Sequence, residues 1–329
     1  MRHAIRALSF SAAVPVAALL LAAPSFAQAP SSVAKTAPAA KVAEPAKPWT
    51  PPKTADGQPD LSGVWSNATK VPLERPVARG GAPRPLAVQG QGGLQVHYDV
   101  SQFGLDRSHA TVAEDDRSSL VTTADGRIPP LLPEAQKRAA ERAAFNREHQ
   151  WDSAETRPLG ERCILWPNEG PPMLSPGYNS DVQIVQGVGY VAILQEMIHD
   201  VRIIPTDGRP HLPSNIRQWM GDSRGHWEGN TLVVDTTNFT DKTAFQRSSE
   251  SLHVVERFTR TSPDTLLYEF TVDDPHTWAT PWSAKTTWAK TDSPIYEYAC
   301  HEGNYGLPNN LSGQRAMEKK AAEEAAAKQ

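Results

Sequence analysis

Gly221-Asp222-Ser223-Arg224-Gly225 carries the G-x-S-x-G spacing that presents a nucleophilic serine on a sharp turn from strand into helix. The chemistry would be acyl transfer, with the helix N-terminus helping to hold an oxyanion. The residues that follow argue against it. His226-Trp227-Glu228-Gly229-Asn230 leads through a Glu-Gly-Asn turn into Thr231-Leu232-Val233-Val234-Asp235, a strand pattern, so no helix follows the serine. The segment reads instead as a hairpin-like loop joining Arg217-Gln218-Trp219-Met220 to that strand. Ser223 is kept as the nucleophile of a serine-hydrolase alternative. Trp219, Asp222 and Arg224 are placed at a pocket rim as substrate-binding residues, because loops at strand ends carry function more often than strand middles.

A second chemistry follows from alternation along strands. In residues 252–260 one face carries Leu252, Val254, Glu256 and Phe258. A carboxylate on such a face is paired, or protonated with a raised pKa. Glu256 is therefore a candidate acid or base, or half of a buried ion pair with an arginine. Glu196 follows Tyr190, Ala192 and Leu194 by twos, and His199 and Arg202 come next. A glutamate, a histidine and an arginine at one strand end could serve as base, proton shuttle and anion clamp. Cys300-His301-Glu302 adds His301. If Cys300 pairs with Cys163, His301 is pinned beside the proline-rich loop 163–180, near Tyr178 and Asn179. The expected catalytic set is Glu196, His199, Glu256 and His301, with Tyr178, Asn179 and Arg202 added to the binding set. The histidines are dispersed, without H-x-H, H-E-x-x-H or C-x-x-C spacing, so no metal is expected. No dinucleotide or phosphate loop occurs, so no cofactor is expected either.

The elements that must position these groups are mostly strands. VQIVQGVGYVAILQEMI, VRIIP, TLVVDTTNF, LHVVERFTR, LLYEFTVDD, WSAKTTWAK and IYEYAC predict seven or more antiparallel strands joined by turn chemistry. One early helix is expected over Pro133–His149, opened by its proline, with Leu131, Leu132, Ala135, Ala139, Ala143 and Phe145 as a thin apolar stripe. No helices of 10–15 residues separate the strands, which excludes a parallel α/β sheet and leaves a barrel or a sandwich.

The chain has 329 residues and a formal charge of −4, without a basic stripe, so a nucleic-acid partner is not expected. Residues 1–27 read as a signal peptide: Arg2, His3 and Arg6, then an apolar run, then Ser25-Phe26-Ala27 as a cleavage site. Cleavage would remove Arg2 and Arg6 and take the charge from −4 to −6. Residues 28–57 form an Ala/Pro/Lys-rich linker, 58–314 a single β domain with a long loop-rich insertion near its start, and 315–329 a charged Ala-rich tail. No later run is long and apolar enough for a membrane span. A periplasmic or secreted location follows, and two cysteines in an oxidising compartment predict a Cys163–Cys300 disulfide.

Gly63-Val64-Trp65, ahead of a series of antiparallel hairpins, resembles the G-x-W signature of lipocalin-like (calycin) barrels. The domain is longer than a minimal lipocalin, and the late arginine that packs on the tryptophan in that family has only Arg315 as a candidate. The stretches RQWMGDSRGHWEGNTLVVDTTNF and YACHEGNYGL also resemble a set of uncharacterised exported bacterial proteins. The calycin resemblance implies a barrel with a small apolar or aromatic ligand at its mouth, and allows for isomerases, hydratases or lyases without cofactors. The expected function is thus acid–base chemistry on a small organic molecule. The alternatives are a non-catalytic binding protein, an envelope interaction protein, and hydrolysis through Ser223. Nine tryptophans suit ring stacking on a ligand.

Overall fold

Burial of every second residue organises the sheet. Val254, Glu256, Phe258 and Arg260 are buried along one strand, and Leu266, Tyr268, Phe270 and Val272 along its neighbour. In the computed structural model, which describes residues 49–76, 117–167, 169–243 and 245–328, nine strands form one antiparallel sheet. They are β1 (Gly63–Ser66), β2 (Asp181–Gly187), β3 (Tyr190–Gln195), β4 (Val201–Pro205), β5 (Asp222–Glu228), β6 (Thr231–Thr237), β7 (His253–Ser262), β8 (Thr265–Asp273) and β9 (Trp282–Thr291). Their order is β4-β3-β2-β1-β9-β8-β7-β6-β5. Two helices accompany them, α1 (Pro133–His149) and α2 (Gly306–Ala326). Mostly β, antiparallel and with an early helix, the architecture agrees with the sequence at that level. The expected signal peptide, the linker as far as residue 48 and most of the expected insertion lie outside the described residues.

The sheet is not closed into a barrel. β4 and β5 end it on opposite edges, and no ladder joins them. The edges nevertheless meet through side chains. Arg202 Nη2 on β4 donates to Ser223 Oγ on β5 at 3.2 Å. A Cβ at Gly225 would stand 2.9 Å from Ile204 Cγ2, so a glycine is needed for this approach.

The inner face is filled with aromatic rings. Trp288 and Tyr268 lie 4.9 Å apart, Tyr268 and Phe258 also 4.9 Å, and Trp278 meets Trp282 edge-on at 5.7 Å. Trp65 is fully buried on β1 between β2 and β9, and its indole donates to Leu61 O at 2.9 Å. Arg260 of β7 lies over it, with its guanidinium carbon 5.4 Å from the ring. Arg315, the candidate from sequence, sits instead on α2, bonded to Trp151 O and Glu318.

Four sequence expectations need correction. Asp222–Glu228 is a strand, not a loop: it pairs along its whole length with β6, and Gly229-Asn230 makes the turn. IYEYAC is not a strand, because β9 already has β8 and β1 on its two sides and leaves no edge for it. The core face of β3 is Val191, Ile193 and Gln195, whereas Tyr190 is exposed, so Glu196 is buried by the 3-10 turn that follows it rather than by the Tyr190 face. On α1 only Ala135 is buried, since alanines give the helix little to bury, and Phe145 is exposed beside His149. The tail from residue 315 continues α2, which has no buried residue.

Candidate functional site

Where β4 and β5 meet, a cleft of about 470 Å³ opens. Val201 and Ile203 of β4, Ile164, Trp219 and Met220 give it an apolar lining, and Asp200, Arg202, Asp222 and Ser223 give it polar groups. Val201 and Ile203 are about half exposed, which is unusual for aliphatic residues on a strand and leaves apolar surface for a ligand. Gly221 turns the chain into the cleft wall at φ +71, and a Cβ there would lie 2.6 Å from Thr237 O. Both glycines of the G-x-S-x-G segment therefore have structural reasons, one for a turn and one for the edge-to-edge approach.

Behind the cleft lies a buried polar network. Glu256 is fully buried, and Arg202 grips it with Nη1 at 3.1 Å from Oε1 and Nη2 at 2.6 Å from Oε2. Tyr268 donates its hydroxyl to Glu256 Oε1 at 2.7 Å and accepts from the Met173 amide at 2.7 Å. Burial, then the Glu256 charge, push the Tyr268 phenol up, so it stays protonated and can donate. Ser223 Oγ accepts from Arg202 and lies 3.0 Å from Thr236 Oγ1. Neither neighbour is a base, so among the described residues nothing is placed to take the proton of Ser223.

The opposite face of β5–β7 carries a chain of carboxylates and imidazoles. His211 sits between Asp222 Oδ2 and Asp235 Oδ1, each 2.9 Å from a ring nitrogen. His253 Nε2 is 2.7 Å from Asp235 Oδ2, and Arg224 Nη1 donates to Asp222 Oδ1 at 2.6 Å. The hydrogen bond to Asp235 raises the His253 pKa. Burial works to raise Asp235, but the hydrogen bonds and charges of His253 and His211 outweigh it and hold that carboxyl low. Leu212 N also donates to Asp222 at 2.8 Å, and Arg224 Nε to Pro210 O at 2.8 Å. These bonds tie loop 206–221, which carries the cleft wall, to β5 and β6.

The other sequence candidates gather at the far end of β3. Cys163 and Cys300 stand at disulfide distance, with Cα atoms 5.7 Å apart. Beside them His199 Nδ1 lies 2.9 Å from Tyr298 O, and the His199 and His301 rings are 6.4 Å apart. Glu196 is buried and accepts from the Tyr296 amide at 3.2 Å. Tyr178 packs edge-on against Trp166, and burial together with its bond to Tyr298 raises its pKa. Asn179 adopts a left-handed φ of 48 next to it. The structure thus brings Glu196, His199 and Tyr178 to the 296–301 segment that ends in Cys300 and His301, with Asn179 next to Tyr178 in the chain. Arg202, Trp219 and Asp222 line the cleft, Arg224 backs Asp222, and Glu256 backs Arg202.

Two carboxyls outside that candidate set are strongly raised. Glu169 is almost fully buried, and its Oε2 has no hydrogen-bond partner among the described residues. Burial, with the nearby charges of Asp200 and Glu196, pushes it up to about 9. Asp200 lines the cleft and is pushed up by burial to about 6, partly offset by His199. Alternation would have placed Asp200 on the same side as Arg202, two residues on. Glu169 lies in a loop of no period, and only packing reveals it. No group of three or more His, Cys, Asp and Glu side chains among the described residues is arranged to hold a metal ion.

No protein-family model and no curated protein matches this chain.

Proposed function

We propose that this is an exported, lipocalin-like protein that binds a small apolar or aromatic molecule in the cleft between β4 and β5. The observation that carries this reading is the cleft itself. Exposed aliphatic residues and Trp219 surround polar groups already oriented by a buried network, which is how small-molecule sites combine affinity with orientation. The lipocalin-like part is supported by Trp65 on a paired first strand with Arg260 over its ring, and by edge strands that meet. The paired cysteines, and the lack among the described residues of any helix long and apolar enough to cross a membrane, are compatible with export. Glu256 has both oxygens engaged, which suits a buttress for Arg202 better than a proton carrier.

A second reading, cofactor-independent acid–base catalysis, is favoured by Asp200, a cleft carboxyl that burial pushes up to about 6. Titrating the protein with a panel of simple aromatic compounds while following tryptophan fluorescence separates the two. Saturable quenching without turnover, weakened about tenfold or more in Trp219→Ala, is the outcome expected of a binding protein. Turnover that follows a pKa near 6 and disappears in Asp200→Asn would establish the enzyme instead. No change in fluorescence or thermal stability with any compound would remove the cleft as a ligand site.

A further inference from the structure

A second pocket, of about 360 Å³, lies between α1 and the 241–250 segment, away from the cleft. α1 presents Arg138, Arg142 and Asn146 to it, spaced by four and so on one helix face. The opposing segment adds Arg247. Two consecutive non-glycine residues there, Gln246 and Arg247, hold left-handed backbone at φ 49 and 71, a conformation that costs energy and turns Arg247 to this position. Arg138 is held in place by Nη2, which donates to Thr277 Oγ1 at 2.9 Å and to His276 O at 3.4 Å, while Nε and Nη1 have no hydrogen-bond partner among the described residues.

The charges in this pocket are incompletely answered. Among the described residues neither Arg138 nor Arg247 has a carboxylate partner. Arg142 lies 3.7 Å from Asp241, both largely exposed, a weak surface pair. Glu250 also borders the pocket, but its carboxylate is engaged 3.4 Å from Arg217 Nε. Ser248 on the pocket wall is 4% exposed, and its hydroxyl has no hydrogen-bond partner among the described residues. Arg138, Arg247 and the Ser248 hydroxyl thus bring donors without an acceptor partner among the described residues to one concavity, beside the weak Arg142–Asp241 pair and a Glu250 turned to Arg217.

We propose that this pocket is an oxyanion site, which takes a small organic molecule through its carboxylate, sulfate or phosphate group. Arg138 and Arg247 would hold the anion from two sides, and the aliphatic walls of Ala139 and Ala143 would meet the organic remainder. Guanidinium suits this because its planar fork matches such anions and its hydrogen bonds to them are charge-assisted.

Isothermal titration of the full chain with inorganic phosphate, sulfate and acetate, with chloride as the ionic-strength control, tests the assignment. One saturable site for at least one of the three oxyanions is expected, with the affinity falling as chloride is added. Arg247 is exposed and makes no side-chain hydrogen bond among the described residues, so Arg247→Ala is expected to fold like the parent. It should weaken binding about tenfold or more, as loss of a charge-assisted hydrogen bond does. Arg247→Lys should recover part of the affinity, and amide shifts on titration should centre on residues 146 and 248–249. Three outcomes overturn the assignment: no saturable oxyanion binding, parent affinity in Arg247→Ala, or shifts centred on the β4–β5 cleft.

Discussion

At the scale of single residues, Arg202 and Glu256 form a buried bidentate pair. Both are buried, and water is replaced by two guanidinium bonds and the Tyr268 hydroxyl. A buried pair of this kind is a weak source of net stability, yet removing one partner strands the other charge and costs about 3–5 kcal/mol. Glu256→Ala should therefore lose roughly that much stability in urea at pH 7. The double variant Arg202→Met with Glu256→Leu should lose much less than the sum of Arg202→Met and Glu256→Leu taken singly. Strict additivity would mean that the two do not act as a pair. Ser223→Ala removes one neutral partner and should cost only about 1 kcal/mol. Sequence alternation was enough to place Glu256 inward. It could not name Arg202, because β4 and β7 are far apart in strand order and meet only where the sheet edges come together.

At the scale of elements, the sequence was legible where burial alternates along a strand, as it does in β7 and β8. β5 was not legible, because its inward positions are Ser223, Gly225 and Trp227, and only the last is apolar. Those small residues are required by the closeness of β4, a fact of tertiary structure. The same limit hid His211, which lies in an aperiodic loop and matters only because Asp222 and Asp235 reach it from two strands. His211 is the pin of loop 206–221, since both ring nitrogens face carboxylates while the Leu212 amide shares one of them. His211→Ala should lower hydrogen-exchange protection across residues 206–221 and weaken the ligand binding proposed for the cleft. β7 and β8 should keep their protection. Unchanged protection in the loop would show that Arg224 and Asn238, which bond the carbonyls of Pro210 and Leu212, are sufficient anchors.

For the whole molecule, the Cys163–Cys300 pair encloses β2 to β9, eight of the nine strands, in one loop with a sequence separation of 137. So long a closure restricts the unfolded chain strongly, and two cysteines in a sequence read as exported were sufficient to predict the pair. The segment strapped down by this pair is not legible in the same way, yet it buries Glu169, which adds its own pH-dependent contribution to stability. Its carboxyl is raised from 4.5 to about 9, burial being the main cause. Below pH 4.5 both folded and unfolded chains hold the proton, and the contribution is complete. Above that, the unfolded chain ionises while the folded one keeps its proton, so stability falls progressively up to pH 9, by at most about 1.4 kcal/mol per pH unit. Asp200, raised to about 6, adds a loss of the same sign at the acidic end of this range. Glu169→Gln puts an uncharged amide in the same place, so any penalty it carries is constant with pH. Its stability relative to the parent should therefore rise steadily from pH 5 to pH 9 in chemical denaturation. A difference that stays level across that range would mean that Glu169 ionises in the folded protein as it does in water, and that the segment closed by the disulfide admits solvent to it.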